Sequence, residues 1–232
     1  MAIFRTPQES KFQIHKGSSL SRPDEWTQDD DKARLDEPAW DARYKHEATI
    51  LEKIISDNNY TNIIELGSGP GVLSQMVIEM HDKTLDYTLI DLIGAKEVFD
   101  ERNYKGRFIV KDMLNDFDIS DLDASYDFLV TNDFLEHINN PTLIVQNCYK
   151  IIKDGGKMFV SVPNWRMGHK FIYRGLFDYD NFIYFMYIHG FNISGIYKSN
   201  LECPTIPKLS SEDEIDPALI NSWNWYMLFD KV

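Results

Sequence analysis

The chain has 232 residues, of which 43% are hydrophobic and 13% aromatic, and it carries a formal net charge of −13. Enough apolar side chains are present for a sizeable core, which excludes a globally disordered chain. The negative charge and the lack of a dense lysine or arginine run argue against a nucleic-acid partner, because such proteins need clustered basic charge.

Cysteine usage and hydropathy indicate a soluble, cytoplasmic protein. Cys148 and Cys203 are far apart and show no metal-ligand spacing, which is typical of a reducing compartment. The amino-terminal residues lack the apolar core of a signal peptide. The longest apolar run, residues 182–188, has seven residues, whereas a membrane-spanning helix needs roughly 20. We expect no integral membrane association, and the sequence leaves the oligomeric state open.

Two segments of different composition predict the domain organisation. Residues 1–37 are polar and irregular, and we interpret them as an amino-terminal arm, with a lid over a binding site as the alternative. From Pro38 to about Asn59, apolar residues recur at helical spacing, and a proline suits a first helical turn. We therefore predict one domain over residues 38–232.

Short apolar segments then alternate with helical ones. The predicted strands cover residues 62–66, 86–90, 107–110, 126–131, 157–162, 193–197 and 223–229, and further helices are predicted at 71–80, at 141–152 and within 177–191. This alternation predicts an α/β fold with a Rossmann-like, doubly wound, mostly parallel sheet and helices on both faces. Right-handed crossovers would place the carboxyl ends of the parallel strands on one edge, where such sheets bind ligands.

The stretch NIIELGSGPGVL, which begins at Asn62, places alternating glycines directly after the first predicted strand. Glycine lacks a Cβ, so these positions permit positive φ and let a ligand lie against the backbone. A nicotinamide-binding loop would read G-x-G-x-x-G and hold pyrophosphate at the following helix. Here the glycines are Gly67, Gly69 and Gly71, and Pro70 removes one N–H group. The loop therefore favours a ligand that approaches closely without a phosphate.

Carboxylates follow the next two strands. Asp91 ends the second predicted strand, where a carboxylate can accept hydrogen bonds from both hydroxyls of an adenosine ribose. Asp112 follows the third strand, where a carboxylate is able to accept from an adenine amino group, with Met113 beside the ring. With Glu65 and the glycines, these residues form an ordered set at predicted strand ends.

In this order the motifs resemble those of the class I S-adenosylmethionine-dependent methyltransferases. IIELGSGPG is similar to their first motif, TLID to the acidic end of their second strand, and VKDM to the segment that contacts adenine. YDFLVTNDFLEHI resembles their fourth-strand motif, IIKDGGKMFVSVPN their fifth strand, and SWNWYMLFDK their last, antiparallel strand. The resemblance covers about residues 38–232. It is nearest to the broad group of small-molecule methyltransferases that includes ubiquinone-pathway O-methyltransferases.

The resemblance implies S-adenosylmethionine as cofactor and S-adenosylhomocysteine as product. The methionine end of the cofactor would lie along Gly67, Ser68, Gly69 and Gly71. Glu65 would hold both this loop and the amino group through hydrogen bonds.

The resemblance also assigns the other end of the cofactor. Asp91, with Leu92 beside it, would hold the ribose, and Asp112 and Met113 would hold the adenine. Asn132, after the fourth strand, would supply a backbone carbonyl near the sulfonium side.

The catalytic candidates are Asp133, Glu136 and His137, which follow the fourth strand. In one interpretation His137 is a general base, because histidine titrates near neutral pH. In a second, less favoured interpretation the three side chains hold a divalent cation; in a third they make local hydrogen bonds only. Some ubiquinone-pathway O-methyltransferases carry a similar acidic-x-x-Glu-His arrangement, with glutamate where this chain has Asp133.

The sequence thus predicts a methyltransferase that acts at oxygen or nitrogen of a small-molecule acceptor. Alternatives are a protein or peptide methyltransferase and a non-catalytic, S-adenosylmethionine-binding partner subunit. A nucleobase methyltransferase would usually show an (Asp/Asn/Ser)-Pro-Pro-(Tyr/Phe) motif, but this chain has Asn132, Asp133 and Phe134 there. A nicotinamide oxidoreductase is disfavoured by the glycine spacing and by Pro70.

Overall fold

A computed structural model describes residues 38–113, 117–120, 122, 125–163, 173, 175–197 and 224–232. The helices in these residues are α1 (Pro38–Asn58), α2 (Val72–Met80), α3 (Ile93–Glu101), α4 (Pro141–Ile151) and α5 (Tyr179–Ile188). The strands are β1 (Asn62–Leu66), β2 (Asp86–Asp91), β3 (Arg107–Val110), β4 (Tyr126–Asn132), β5 (Ile152–Pro163), β6 (Phe191–Tyr197) and β7 (Asn224–Lys231). The predicted arm over residues 1–37 lies outside the described residues and stays a prediction.

The seven strands form one sheet in the order β3-β2-β1-β4-β5-β7-β6. Strands β1 to β5 pair in parallel, and β7 runs antiparallel to both of its neighbours, β5 and β6. The predicted fold class is therefore confirmed, including the antiparallel last strand. Because the chain moves outward from β1 in both directions, the order reverses between β1 and β4, and the crevice at that point is the usual ligand site.

Two apolar clusters cover the two faces of the sheet. One contains Ile63, Val130 and Phe159 from the strands together with residues of α1, α2 and α3. The other contains Leu66 and Val160 together with residues of α4 and α5. Successive strand residues alternate between the faces, so each strand is buried on both sides and reads as a continuous apolar run. This explains why the strand positions are readable from the sequence.

Most element bounds agree with the prediction to within two residues, and two elements differ by more. Helix α3 was not predicted, because Gly94 weakens the helical pattern and the segment buries only Ala95, Val98 and Phe99. Strand β5 begins at Ile152 instead of residue 157. Its first residue pairs with β4, and the next four bulge out before the pairing resumes at Lys157.

In the part of the chain that the structure describes, no helix is long and apolar enough to cross a membrane.

Two glycines of the loop after β1 are required by packing as well as by backbone conformation. Gly67 has φ +69°, and a Cβ there would lie 2.3 Å from the ring of Phe134. Gly71 has φ +85°, and a Cβ there would lie 2.8 Å from Leu89. The loop is therefore pressed between the segment after β4 and the side chains of β2.

Replacing Gly67 by alanine tests this packing. We expect Gly67→Ala to lower the free energy of unfolding by about 2–4 kcal/mol, since it combines a left-handed backbone with a steric clash. Gly155→Ala is the matched control, because Gly155 has φ +77° but a Cβ added there would meet no atom within 4 Å. It should cost only about 1 kcal/mol. Urea unfolding of both variants measures the difference, and equal losses would contradict the packing argument.

Candidate active site

The parallel register brings the sequence-predicted residues to one edge of the sheet. Leu66, the last residue of β1, pairs with Ile90 of β2 and with Thr131 of β4. Asp91 pairs with Val110 at the end of β3. The glycine loop and the segments that follow β2, β3 and β4 therefore all start at the same level of the sheet, around the crevice between β1 and β4.

The glycine loop uses its own N–H groups within the protein. Gly67 and Ser68 both donate to the carbonyl of Ile90, at 3.0 and 3.3 Å. Gly71 donates to the carbonyl of Ser68 at 3.1 Å, and Pro70 has no N–H group. A phosphate cradle needs several backbone N–H groups that point at the anion. The hydrogen bonding of this loop therefore supports a ligand other than pyrophosphate.

Gly69 occupies the open part of this loop. Its φ is +52°, and a Cβ there would meet nothing within 4 Å, so the space beside it can receive a ligand. Its N–H group donates to Asp91 Oδ2 at 2.6 Å, and the N–H of Leu92 donates to Asp91 Oδ1 at 2.7 Å. These two bonds hold the Asp91 carboxylate at the end of β2, directly against the loop.

Glu65 lies at the floor of the crevice and is 1% exposed. Its Oε2 accepts a hydrogen bond from the Tyr87 hydroxyl at 3.2 Å. Burial, opposed by the Tyr87 hydrogen bond and assisted by the nearby carboxylates of Glu47 and Asp91, raises the pKa of the Glu65 carboxyl to about 8. Around neutral pH the carboxyl is therefore mainly protonated, and a cationic ligand beside it would favour its ionised form.

The two predicted adenine residues differ in exposure. Met113 is buried and belongs to the apolar cluster on the α4 and α5 face, whereas Asp112 is exposed. The Lys111 N–H donates to the carbonyl of Asp91 at 2.9 Å, so the start of this segment stays beside β2. Their adenine-binding roles remain predictions.

Sequence reasoning missed a buried carboxylate on α1. Glu47 is fully buried, and three groups donate to it: Arg43 Nε at 2.7 Å and the Tyr226 hydroxyl at 2.7 Å to Oε1, and Asn132 Nδ2 at 3.0 Å to Oε2. Burial raises the pKa of Glu47, and Arg43 partly opposes that rise. The contact ties α1 to the carboxyl end of β4 and to β7, so α1 covers the crevice.

Asp133 is held by three side chains. Its Oδ2 pairs with the Arg43 guanidinium, and its Oδ1 accepts from Asn224 Nδ2 at 2.6 Å and from Ser161 Oγ at 3.1 Å. The residue has φ +48°, a left-handed conformation that aspartate tolerates better than most residues. Both carboxylate oxygens are thus already engaged, which makes Asp133 poorly placed to take a proton from an acceptor.

The other two catalytic candidates lie on a short 3₁₀ turn, Leu135–His137. Glu136 is fully buried, and burial, followed by the nearby Asp133, raises the pKa of its carboxyl well above the usual range. Its Oε1 lies 3.7 Å from Nε2 of His137, whose side chain is 25% exposed. Among the described residues, no group of three histidine, cysteine, aspartate or glutamate side chains could hold a metal ion. The catalytic roles remain predictions.

A sequence signal for the missed residues does exist. Arg43 and Glu47 are spaced by four and continue the stripe of α1 that carries the buried Ile50 and Ile54. Polar residues on that stripe must have partners on the sheet. The matching partners are polar positions in or just after apolar strands: Asn132 and Tyr226 for Glu47, and Asp133 for Arg43.

Comparison with known proteins identifies the family. Residues 32–192 match the family described as a methyltransferase domain, which is more than half of the chain. With its seven-stranded sheet and motif order, the chain belongs to this family and is a class I S-adenosylmethionine-dependent methyltransferase by fold.

Individual relatives are distant. A ubiquinone biosynthesis O-methyltransferase of Nitrosomonas europaea is 24% identical over 123 residues, which are 49% of this chain and 48% of that protein. The chain spans about half the length of the curated relatives it matches. The similarity therefore concerns about half of each chain.

Solved structures agree in fold. An S-adenosylmethionine-dependent methyltransferase from Clostridium acetobutylicum superposes with a TM-score of 0.59 at 12% identity, covering 86% of this chain and 94% of that one. The N-methyltransferase NodS from Bradyrhizobium japonicum, solved with S-adenosylhomocysteine, gives a TM-score of 0.57 at 16% identity, covering 91% and 94%. At such identities the likeness shows the fold alone.

The described residues fit the cofactor of this family. The space beside Gly69 would be filled by any side chain at that position, so the glycine leaves room for a ligand. Asp91 presents a carboxylate at the predicted ribose position, and Glu65 presents a carboxyl whose ionised form a cation would favour. The glycine loop would let the ligand lie close to the backbone, and the side chains at the strand ends would make polar contacts with it.

The raised pKa of Glu65 predicts a specific dependence of stability on pH. The native carboxyl stays protonated up to about pH 8, whereas the unfolded one ionises near 4.5. The contribution of this proton is therefore complete below the unfolded pKa and is lost as pH rises through the native pKa. Relative to Glu65→Gln, the wild type should lose up to about 1.4 kcal/mol per pH unit between about pH 5 and 8.

Urea unfolding at several pH values measures this difference. Glu79→Gln, which changes an exposed glutamate on α2, is the control and should leave the pH dependence unchanged. A flat difference curve for Glu65→Gln would mean that Glu65 is ionised in the free protein.

Proposed function

We propose that the protein is an S-adenosylmethionine-dependent methyltransferase that methylates an oxygen or nitrogen of a small-molecule acceptor. The observation that carries the proposal is the loop beside Gly69, which is open to a ligand, uses its own N–H groups internally, and faces the carboxylate of Asp91. A loop of this kind favours an adenosine ligand without phosphates over a dinucleotide.

The role of the chain in this reaction is mainly positioning. When bound, the cofactor supplies an electrophilic methyl carbon on a sulfonium. The protein then needs to hold the acceptor in line with that carbon, which can contribute up to roughly 7–11 kcal/mol. Helix α1, tied to β4 and β7 through Glu47, covers the crevice and would help to exclude water once the cofactor is bound.

His137 is the favoured general base. It follows the end of β4, on the ligand edge of the sheet, and its ring is partly exposed, so an acceptor can reach it. The carboxyl of Glu136 lies 3.7 Å from Nε2, and a proton gained by the ring would favour the ionised form of that buried carboxyl. Asp133 is a weaker candidate because Arg43, Ser161 and Asn224 already occupy both of its oxygens.

The acceptor is proposed from the relatives and from the charge of the chain. The relatives are ubiquinone biosynthesis O-methyltransferases, and one structural neighbour is an N-methyltransferase, so a small molecule with a hydroxyl or amine is the proposed acceptor. The net charge of −13 disfavours a nucleic-acid substrate. A cytoplasmic location and no integral membrane association are part of the same proposal.

Calorimetry tests the cofactor assignment. S-adenosylhomocysteine should bind in the micromolar range or tighter, and NAD should not bind measurably. Asp91→Ala should weaken S-adenosylhomocysteine binding about tenfold or more, because it removes charge-assisted hydrogen bonds to the ribose. Asp100→Ala, at an exposed aspartate of α3, is the matched control. Tighter binding of NAD, or unchanged affinity in Asp91→Ala, would refute the assignment.

A second measurement addresses the base. After an acceptor has been found by screening small molecules with a labelled methyl donor, His137→Ala should lower turnover by about 10²–10⁴-fold, the usual contribution of a general base. Binding of S-adenosylhomocysteine should stay within about twofold of the wild type, since general-base catalysis concerns the acceptor. His189→Ala, at the end of α5 on the opposite edge of the sheet, is the control. Full turnover in His137→Ala would contradict the general-base hypothesis and would mean that the histidine has a structural role only.

A further inference from the structure

Asn132 ends β4 at the crevice between β1 and β4, and the two polar atoms of its side chain have different surroundings. Its Nδ2 donates to Glu47 Oε2 at 3.0 Å. Its Oδ1 is buried and has no hydrogen-bond partner in the described part of the chain. Since a buried acceptor without a donor costs about 1–3 kcal/mol, such an atom at a ligand edge points to a donor that the ligand brings.

Glu47 determines which way the Asn132 amide is turned. A carboxylate can only accept, and its Oε1 already receives Arg43 and Tyr226, so Oε2 faces the amide. With the opposite orientation of the amide, two oxygens would face each other at about hydrogen-bond distance. The amide is therefore held with Nδ2 towards α1 and Oδ1 away from it.

The surroundings of this oxygen suit a cation. Asn132 and Glu65 lie on the same face of the sheet. On β1, Glu65 shares its face with Ile63, and Ile63 pairs with Phe128 of β4. Alternate residues of β4, from Phe128 through Val130 to Asn132, lie on that same face. Glu47 and Asp91 both act on Glu65 electrostatically, so each of these two carboxylates lies near Glu65. An ammonium group has three N–H donors and could bind Glu65 and Asn132 together.

We propose that Asn132 Oδ1 accepts a hydrogen bond from the amino group at the methionine end of the cofactor, and that Glu47 is the positioning residue that directs this oxygen. The proposal rests on the cofactor assigned under the proposed function. It gives α1 a part in cofactor recognition without direct contact, because Glu47 acts only through the orientation of the Asn132 amide.

Glu47→Gln is the decisive variant because glutamine has the same shape. The oxygen of the introduced glutamine can still accept from Arg43 and Tyr226, which leaves its NH₂ group facing Asn132. The Asn132 amide must then turn over and present Nδ2, a donor, to the ammonium. We expect S-adenosylhomocysteine to bind about tenfold more weakly, the usual loss for one hydrogen bond to a charged group.

Two comparisons separate orientation from general damage. Methylthioadenosine contains the adenosine and the sulfur but lacks the amino-acid portion, so its affinity should be the same for Glu47→Gln and wild type. Tyr226→Phe removes another hydrogen bond to the same carboxylate without turning the amide. It should lower stability in urea unfolding but leave the affinity for S-adenosylhomocysteine within about twofold, because the acceptor oxygen stays in place.

A charge-conserving exchange provides the rescue. In Glu47→Gln with Asn132→Asp, the NH₂ of the introduced glutamine donates to one oxygen of the introduced aspartate, and the other oxygen again faces the ligand. We expect this double variant to recover affinity for S-adenosylhomocysteine to within about threefold of the wild type, since an acceptor is restored. Asn132→Asp alone places two carboxylates against each other and should be less stable than both the wild type and the double variant.

Calorimetric titration of each variant with both ligands decides between the outcomes. Unchanged binding in Glu47→Gln, an equal loss for methylthioadenosine, an equal loss in Tyr226→Phe, or no recovery in the double variant would each overturn the proposal. If the wild type binds neither ligand, the cofactor assignment itself fails and this inference fails with it. Normal binding by the wild type with any of the contrary results leaves the cofactor assignment intact.

Discussion

A buried carboxylate on α1, Glu47, meets three hydrogen-bond donors from α1, β4 and β7, and the shape of the site depends on this contact. A buried charge is tolerated only when it is paired and hydrogen-bonded. Helix α1 is therefore stable on the sheet only in the arrangement that brings Glu47 to these donors. That arrangement places Arg43 over Asp133 and turns the amide of Asn132. The sheet forms the floor of the crevice, and the Glu47 side chain fixes the position of α1, which covers it.

Carboxyl groups around the crevice have different properties because their surroundings differ. Asp91 accepts two backbone N–H groups and serves as a rigid acceptor beside the loop. Burial raises the pKa of Glu65 to about 8, so the charge of this carboxyl depends on what binds next to it. Asp133 is neutralised by Arg43 and held by the strands. Acidic side chains therefore provide a fixed hydrogen-bond acceptor, a carboxyl whose charge depends on its surroundings, and a structural tie.

Much of the fold and part of the candidate site could be predicted from the sequence. Strands buried on both faces read as short apolar runs, and β1 and β3 were predicted to the residue. The glycine loop and Asp91 were predicted from their place at strand ends. Helix α3 was missed because it buries few side chains. Glu47 was missed because a glutamate within an amphipathic helix looks like a solvent-exposed residue until its partners are known.

The sequence by itself determined the strand positions, the glycine loop and the carboxylates that follow the strands, because these depend on spacing within a few residues. Only the tertiary structure decided what each polar side chain does. Glu47 meets Asn132 across 85 positions and Tyr226 across 179, and Arg43 meets Asp133 across 90. Ionisation, amide orientation and hydrogen-bond capacity are set by such contacts and by burial, and neither is encoded in local periodicity.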